Sequence, residues 1–466
     1  MPQSNGDRTH DAPGPDEPSA RDGLAAALAR TAGRVLRVTG AGAGSALPGL
    51  VVERASPGYL RRRAAALTDG IVAVSGTNGK TTTASMLRAI LRAEGIATVG
   101  NESGSNLKRG IASAMLDAPD AAHLGVLEID EAALPALVPE LRPRLVVLTN
   151  VFRDQLDRYG ETETVANLLA AALRRLPSGA AVVANADDPL LWNAAREFGA
   201  VGFGLEPIAG AVGERADAEP ETCPRCGARL EYLGRTIAHL GQVRCPACSW
   251  ASTAPEFRGR VERQDGVSAI TVEISGHEVA LRLGGVHNAY NAVAAVAAAS
   301  LLGVPVPRAA EALRSFAPRF GRAEEVRLDD RPAWILLMKN PAGAGVVIDE
   351  VVADPRIGAV VVAVSDNVAD GRDISWIWDA DFERLSAAGA PLVPAGRRAA
   401  DVAVRLRYAG ATPLPAQADP LAAMRSAMAA CAPPSGVGVL ATYTAMLDLR
   451  ASLTRSRRGR LEDAAR

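Results

Sequence analysis

Short apolar runs alternate along the chain with segments whose apolar residues recur at helical intervals. "DGIVAV" is a run of the kind that forms a buried strand, and "TTASMLRAILRAEG" places Met86, Leu87, Ile90 and Leu91 on one side of a helix. The same order returns at "HLGVLEIDEAAL", "RLVVLTN" and "AAVVANADDPL", each an apolar strand emptying into a polar turn. It resumes at "VSAITVEI" and "HEVALRL", and again at "AWILLMKNPAG" and "GAVVVAV". Such alternation predicts an α/β fold with a mainly parallel sheet, followed from about Arg327 by a second α/β unit.

Between the first strand and its helix lies "GTNGKT". Backbone N–H groups around Gly76 and Gly79 and the positive end of the helix make a seat for phosphate oxygens, with Lys80 as a point charge and Thr81 as a hydroxyl ligand for Mg²⁺. The usual phosphate loop carries a glycine five places before its Gly-Lys pair, where this chain has Val74. The motif, Gly76, Thr77, Asn78, Gly79, Lys80, Thr81 and Thr82, is therefore a shortened form, with an ordinary glycine turn as the alternative. Lysine is otherwise scarce. Lys80, Lys108 and Lys339 are the only three, which singles them out as positions where a compact ammonium serves in place of a guanidinium.

Carboxylates and amides cluster at the predicted strand ends. The strand in "HLGVLEIDEAAL" ends in Glu128, Asp130 and Glu131; Glu128 is the first choice for a Mg²⁺ ligand, a solvated acidic turn the alternative. After Asn150, the residues Asp154, Asp157 and Arg158 fall where they could line the same cleft. "GGVHNAYNAVAAVAAASLLG" opens a helix with Asn288 and Asn291, whose amides can pair with a base edge or cap the helix. Arg322 lies in a glycine turn from which it could reach a phosphate, and Lys339 ends a strand of the second unit. Beyond it an acidic loop holds Asp366, Asp370, Asp373 and Asp379 with Trp376 and Trp378. Chemistry and a merely solvated loop are both open for the aspartates, while the tryptophans read as core or interface packing.

Cys223, Cys226, Cys245 and Cys248 form "CPRC" and "CPAC" with eighteen residues between the pairs. That spacing fits a zinc ribbon, and four sulfurs around one Zn²⁺ leave no open position, so the metal is read as structural, with a pair of disulfides or a nucleic-acid-binding ribbon as the alternatives. Cys431 reads as a small buried hydrophobe, with no histidine nearby in sequence to act as a base.

A chain of 466 residues with 48% hydrophobic content and net charge −1 has no nucleic-acid footprint. Its longest apolar stretches fall short of the ~18 residues a bilayer span needs, and "MPQSNGDRTHDAPGPDEPSA" lacks the layout of a signal peptide, so no transmembrane segment and a cytoplasmic location are expected.

In this order "GTNGKTTT", "LEIDE", "LTNVFRDQLDRYGE", "NADDP", "HNAYNA", "FGRAE", "KNPAG" and "DNVADGRDISWIWDADFE" resemble the Mur ligase superfamily, from about residue 25 to 450. With the four-cysteine insertion the resemblance is strongest to the MurT family, synthetase subunits of lipid II isoglutaminyl synthase. It implies ATP-dependent amidation of the D-glutamate α-carboxylate of the lipid II stem peptide through an acyl phosphate, at the inner face of the membrane. By that resemblance Lys80 and Thr81 serve the phosphates and Mg²⁺, Glu128 the metal, Asn288 the adenine side, and Arg322 and Lys339 the transferred phosphoryl group. Ammonia would come from a GatD-type glutaminase partner in a heterodimer, with Asp373 completing the partner's Cys-His pair; a loop-capping aspartate is the alternative. The implied layout is a disordered tail over 1–22, a central ATP-binding domain over 23–317 with a zinc ribbon inserted at 214–253, a smaller Rossmann-like α/β domain over 318–452, and a flexible tail over 453–466.

Two departures from the wider superfamily stand out. Only about fifty residues of ordered chain are expected before the phosphate loop, which suits a lipid-linked substrate better than a uridine nucleotide. No lysine occurs between Lys108 and Lys339 to be carbamylated beside the metals, and Gln155 stands where a histidine is frequent. A stand-alone amino acid ligase of the folylpolyglutamate kind and a non-catalytic nucleotide-gated module are the competing readings.

Overall fold

The computed structural model describes residues 20–39, 46–101, 105–119, 121–153, 162–208, 222–316 and 322–464. Asp154, Gln155, Asp157 and Arg158 lie outside these residues, as does the side chain of Arg322. Helices Ala20–Thr39, Leu47–Ala55 and Tyr59–Ala65 lead into the strands, and the final helix, Tyr443–Ala464, runs on through the stretch expected to be a tail.

In chain order the strands of the first part are β1 (Gly70–Ser75), β2 (Thr98–Val99), β3 (Leu124–Glu128), β4 (Leu145–Leu148), β5 (Ala181–Asn185), β6 (Val201–Leu205), β7 (Glu231–Arg235), β8 (Gly241–Arg244), β9 (Phe257–Asp265), β10 (Ala269–Ile274) and β11 (His277–Leu281). Among the described residues nine of them form one sheet, ordered β11-β10-β9-β6-β5-β4-β1-β3-β2. Pairing is parallel from β2 to β9 and antiparallel only at the β9-β10-β11 edge. The parallel strands need cover on both faces, which is why they read as unbroken apolar runs. Alternate residues of β1 accordingly enter different cores, Val72 and Val74 one, Ile71 and Ala73 the other. On the first face, helices Lys80–Ala93 and Val286–Leu301 pack against each other. The second is lined almost wholly by alanine, valine and asparagine, whose small volumes let it lie close to the sheet.

A second sheet is built from β12 (Arg322–Leu328), β13 (Arg331–Leu337), β14 (Ile357–Ala363), β15 (Leu392–Ala395) and β16 (Gly436–Ala441), ordered β12-β13-β16-β14-β15. Only the β12-β13 hairpin is antiparallel. β7 and β8 stand apart as a two-stranded ribbon with its own small core of Cys223, Leu230, Val243, Cys245 and Trp250. No helix among the described residues is long and apolar enough to cross a membrane.

The topology fixes where chemistry falls. β1 lies between β3 on one side and β4 on the other; from β1 the chain runs on to β2, beyond β3, and from β4 to β5 on the opposite side, so a crevice opens between the C-terminal ends of β1 and β4. The phosphate-loop sequence, Glu128 and Asn150 all lie at the C-terminal ends of those three strands.

Candidate active site

Residues 76–79 form the turn between β1 and helix Lys80–Ala93, and hydrogen bonds from the end of β4 hold it in shape. Thr77 N donates to Asn150 O (2.8 Å), Asn78 N to Asn150 Oδ1 (2.8 Å), and Asn150 Nδ2 returns a bond to Asn78 O (3.1 Å). Thr149 Oγ1 donates to Asn78 O at 2.7 Å, and Phe152 N to Thr77 Oγ1 at 3.1 Å. Gly76 and Gly79 have φ of +120° and +85°. A Cβ on the first would strike Thr149 and Asn150, and on the second Asn291, so both positions require glycine.

Lys80 is buried, and its Nζ donates to Gly76 O (2.6 Å), Thr77 O (3.2 Å) and Glu131 Oε2 (2.9 Å). Burial pulls its pKa down, but the carboxylates of Glu131, Glu128 and Asp130 outweigh that and raise it above the ordinary lysine value. The ammonium is therefore charged and parked on Glu131, within the loop it serves. Glu131, a carboxylate with no role assigned from sequence, is its ion-pair partner.

Glu128 closes β3 in register with Val74. Its Oε1 accepts from Asn106 Nδ2 at 3.3 Å, while Oε2 is buried without a hydrogen-bond partner among the described residues. A buried carboxylate oxygen with no donor among the described residues, one strand from the loop, suits a hard divalent cation such as Mg²⁺. Thr81 is the second residue of the helix and half-buried.

The second sheet closes over this crevice. Lys339 Nζ donates to Thr77 O at 3.0 Å, and Asn340 Nδ2 to Asn78 Oδ1 at 3.2 Å, so the end of β13 rests on the phosphate loop. His287 Nδ1 lies 3.2 Å from Glu350 Oε1 across the same junction. The resulting cleft is lined by Asn78, Gly79, Thr82, Asn150, Asn288 and Asn291 from the first part and by Lys339, Ala342, Gly343 and Glu350 from the second. Asn288 is buried; its Nδ2 donates to Gly284 O and its Oδ1 accepts from Asn291 Nδ2. Arg322 begins the hairpin strand β12 opposite Leu336, which itself lines the cleft.

Of the four loop aspartates, three are tied to other segments. Asp366 meets Arg397 and Arg398, Asp370 accepts from Thr444 N and Oγ1, and Asp379 lies 3.5 Å from Arg153 of the first part. Asp373 is exposed; it accepts from Ser375 N (2.8 Å) and Ser375 Oγ (2.9 Å), and these two bonds hold its carboxyl below the usual range. Trp376 packs against the core beneath the loop, whereas Trp378 is half exposed and meets Tyr408 edge-on.

The ligand atoms of Cys223, Cys226, Cys245 and Cys248 all lie within 4.8 Å of one another, with Cys223–Cys248 and Cys226–Cys245 at 3.5 Å. Four thiolates at 2.3 Å from a tetrahedral Zn²⁺ sit about 3.8 Å apart, so the set fits that ion. Cys431 is buried, with Arg331 and backbone carbonyls around its sulfur.

A nine-stranded sheet with a shortened phosphate loop, closed by a second, mainly parallel sheet carrying a lysine, is the architecture of a Mur-type ligase. The family model of the Mur ligase middle domain matches residues 74–220, and that of the MurT ligase C-terminal region matches residues 337–446. The fold agrees with that of a pseudomurein peptide ligase type C from Methanothermus fervidus, with a TM-score of 0.64 at 22% identity over 83% of this chain and 78% of that one. The lipid II isoglutaminyl synthase (glutamine-hydrolyzing) subunit MurT of Streptococcus pneumoniae is 36% identical over 79% of this chain and 83% of its own length. Its Staphylococcus aureus counterpart is 32% identical over 82% and 86%. The chain belongs to the MurT family of the Mur ligase superfamily.

Proposed function

We propose that the chain is the synthetase subunit of a glutamine-dependent amidating enzyme that converts the D-glutamate α-carboxylate of the lipid II stem peptide to D-isoglutamine at the inner face of the membrane. In this reading a carboxylate oxygen attacks the γ-phosphorus of ATP, ADP leaves, and an acyl phosphate results. Ammonia then attacks the acyl carbon, the carbon–oxygen bond to phosphate breaks, inorganic phosphate departs, and the nitrogen sheds a proton to give the neutral amide. Residues 76–79 and Lys80 would cradle the β- and γ-phosphates, and Lys339, with Arg322, would balance charge on the group in transfer. Thr81 and Glu128 would hold Mg²⁺, which when bound neutralises phosphate charge.

The observation that carries the reading is the meeting of Lys339 with Thr77, which joins the two sheets around one phosphate seat. The nitrogen source follows from chemistry. Releasing ammonia from glutamine calls for a thiol with a base, and among the described residues Cys431 has an arginine for a neighbour while the other four sulfurs face one another. A GatD-type glutaminase would supply the ammonia in a heterodimer, with Asp373, exposed on its loop, orienting the partner's histidine.

The test uses the purified chain with ATP, Mg²⁺ and a soluble lipid II analogue. Ammonium chloride is expected to support amidation with stoichiometric ADP release, and glutamine is expected to support none until the glutaminase is added. Glutamine hydrolysis by the chain alone, or ammonia-independent ligation of an amino acid, would sink the reading.

A further inference from the structure

We propose that residues 237–240, the tip of the four-cysteine ribbon, form the wall against which the base of the bound nucleotide rests, and that metal at the ribbon's far end keeps this wall in place. The inference builds on the reading of the cleft as an ATP site. Ile237, Ala238 and Leu240 line that cleft together with Asn78, Asn288 and Lys339. They are buried in the large core beside helix Val286–Leu301, not in the ribbon's own small core. The tip is thus part of the central domain, although the strands that carry it belong to the ribbon.

Polar bonds fix the tip to the helix that bears the cleft asparagines. Thr236 Oγ1 and Tyr290 Oη lie 2.5 Å apart, Tyr290 Oη donates to Asp187 Oδ2 at 2.7 Å, and Gly241 N donates to Asp187 O at 2.9 Å. Behind the tip, the ring of His239 meets that of Phe152 edge-on at 4.6 Å between centroids. The charged side of the cleft is set by Lys339, at the loop whose backbone Lys80 holds. The tip supplies an apolar side next to the amides of Asn288 and Asn291, a surface suited to a flat base and unsuited to phosphate.

The opposite end of the ribbon needs support. β7 and β8 are a two-stranded hairpin, an element that is marginal alone, and the ribbon's own core has five buried side chains. Cys245 follows directly on the end of β8. Closing the four thiolates on one ion fixes the strand register, and through it the position of residues 237–240. The four cysteines are positioning residues in this scheme, and Ile237, Ala238 and Leu240 are the residues that would touch the nucleotide.

Calorimetry on the full chain tests this with two probes, Mg²⁺-ATP and inorganic tripolyphosphate. Ile237→Ala is expected to keep full zinc content, weaken ATP about tenfold and leave tripolyphosphate unchanged. Stripping zinc with a chelator, or Cys245→Ser, is expected to produce the same selective loss, with ATP affinity restored when Zn²⁺ is returned to the stripped protein. Wild-type ATP affinity in both the Ile237→Ala and the stripped protein would overturn the proposal, and so would equal weakening of the two probes. Should the stripped chain unfold, Ile237→Ala at full zinc occupancy decides alone. Lys80→Ala tests the underlying reading separately: unchanged ATP affinity there would mean the cleft is not the nucleotide site at all.

Discussion

At the C-terminal end of β1, residues 76–79 are held by Thr149, Asn150 and Phe152, and Lys80 is buried against Glu131; at the C-terminal end of β14, Asp373 stands exposed with both its hydrogen bonds made to Ser375. Both places are strand-end loops of parallel sheets, where such folds put their chemistry. The first has its donors fixed before a ligand arrives, as charge stabilisation demands. The second holds a carboxylate in a defined orientation but surrounds it with solvent, which suits a group meant to be completed by another molecule. The contrast predicts that damage at β1 stops the reaction itself, whereas damage at β14 stops only a step that needs the partner.

The largest expected effect is at Lys80. Lys80→Ala should lower ATP-dependent amidation about a thousandfold with either nitrogen source, because a fixed charge at the phosphate seat is lost. It should also lower the melting temperature, since an unpaired buried Glu131 costs about 3–5 kcal/mol. Adding Glu131→Gln separates the two consequences: stability is expected to return while turnover does not. A double variant that regained turnover would show that the pair is structural and that the two loops differ less than their geometry implies.

Asp373→Ala in the assembled pair comes next. Glutamine-supported amidation is expected to fall about a hundredfold or more, and ammonia-supported amidation to stay at the wild-type rate, as when a histidine loses the carboxylate that orients it. Equal losses with both nitrogen sources would place Asp373 in the synthetase reaction or in loop folding, and the contrast between the two loops would collapse.

The β1 loop was legible in the sequence because everything that makes it is local: an apolar run, two glycines, a lysine and a helical repeat within little more than twenty residues. The α/β class followed from the same periodicity repeated. The Lys80–Glu131 pair was not legible, since its members are joined only when β3 lies beside β1, a matter of sheet order. Asn150 was read as a strand end, yet its amide braces the loop from seventy-two positions away. The ribbon's cysteines announced themselves by spacing, but nothing local singles out residues 237–240; their place in the cleft depends on packing beside Tyr290, which no local pattern encodes. Asn288 carried two meanings in sequence, and the structure gives it bonds within its own helix turn and a place in the cleft wall.

Asp187, which anchors the ribbon tip, and Asp373 should differ in sign when pH is varied. Burial pushes Asp187 up to about 6 against the hydrogen bonds from Tyr290 and Leu205 N, while Asp373 sits below the ordinary carboxylate value. A raised carboxyl favours the folded state when protonated, so its contribution is fully present below the unfolded value of 3.8 and is lost as pH rises through about 6. The shift corresponds to on the order of 3 kcal/mol between those limits. Asp373 acts in the opposite direction, losing its contribution as pH falls below the ordinary range, and being exposed it contributes little. Melting curves of wild type and Asp187→Asn between pH 4 and pH 7.5 test this. The difference between the two proteins should favour wild type increasingly as pH falls through 6, and the same subtraction with Asp373→Asn should stay flat over that window. An Asp187→Asn difference that does not change with pH would mean the carboxyl is already neutral or already ionised throughout. The Thr236–Tyr290–Asp187 chain that anchors the ribbon tip would then be insensitive to pH.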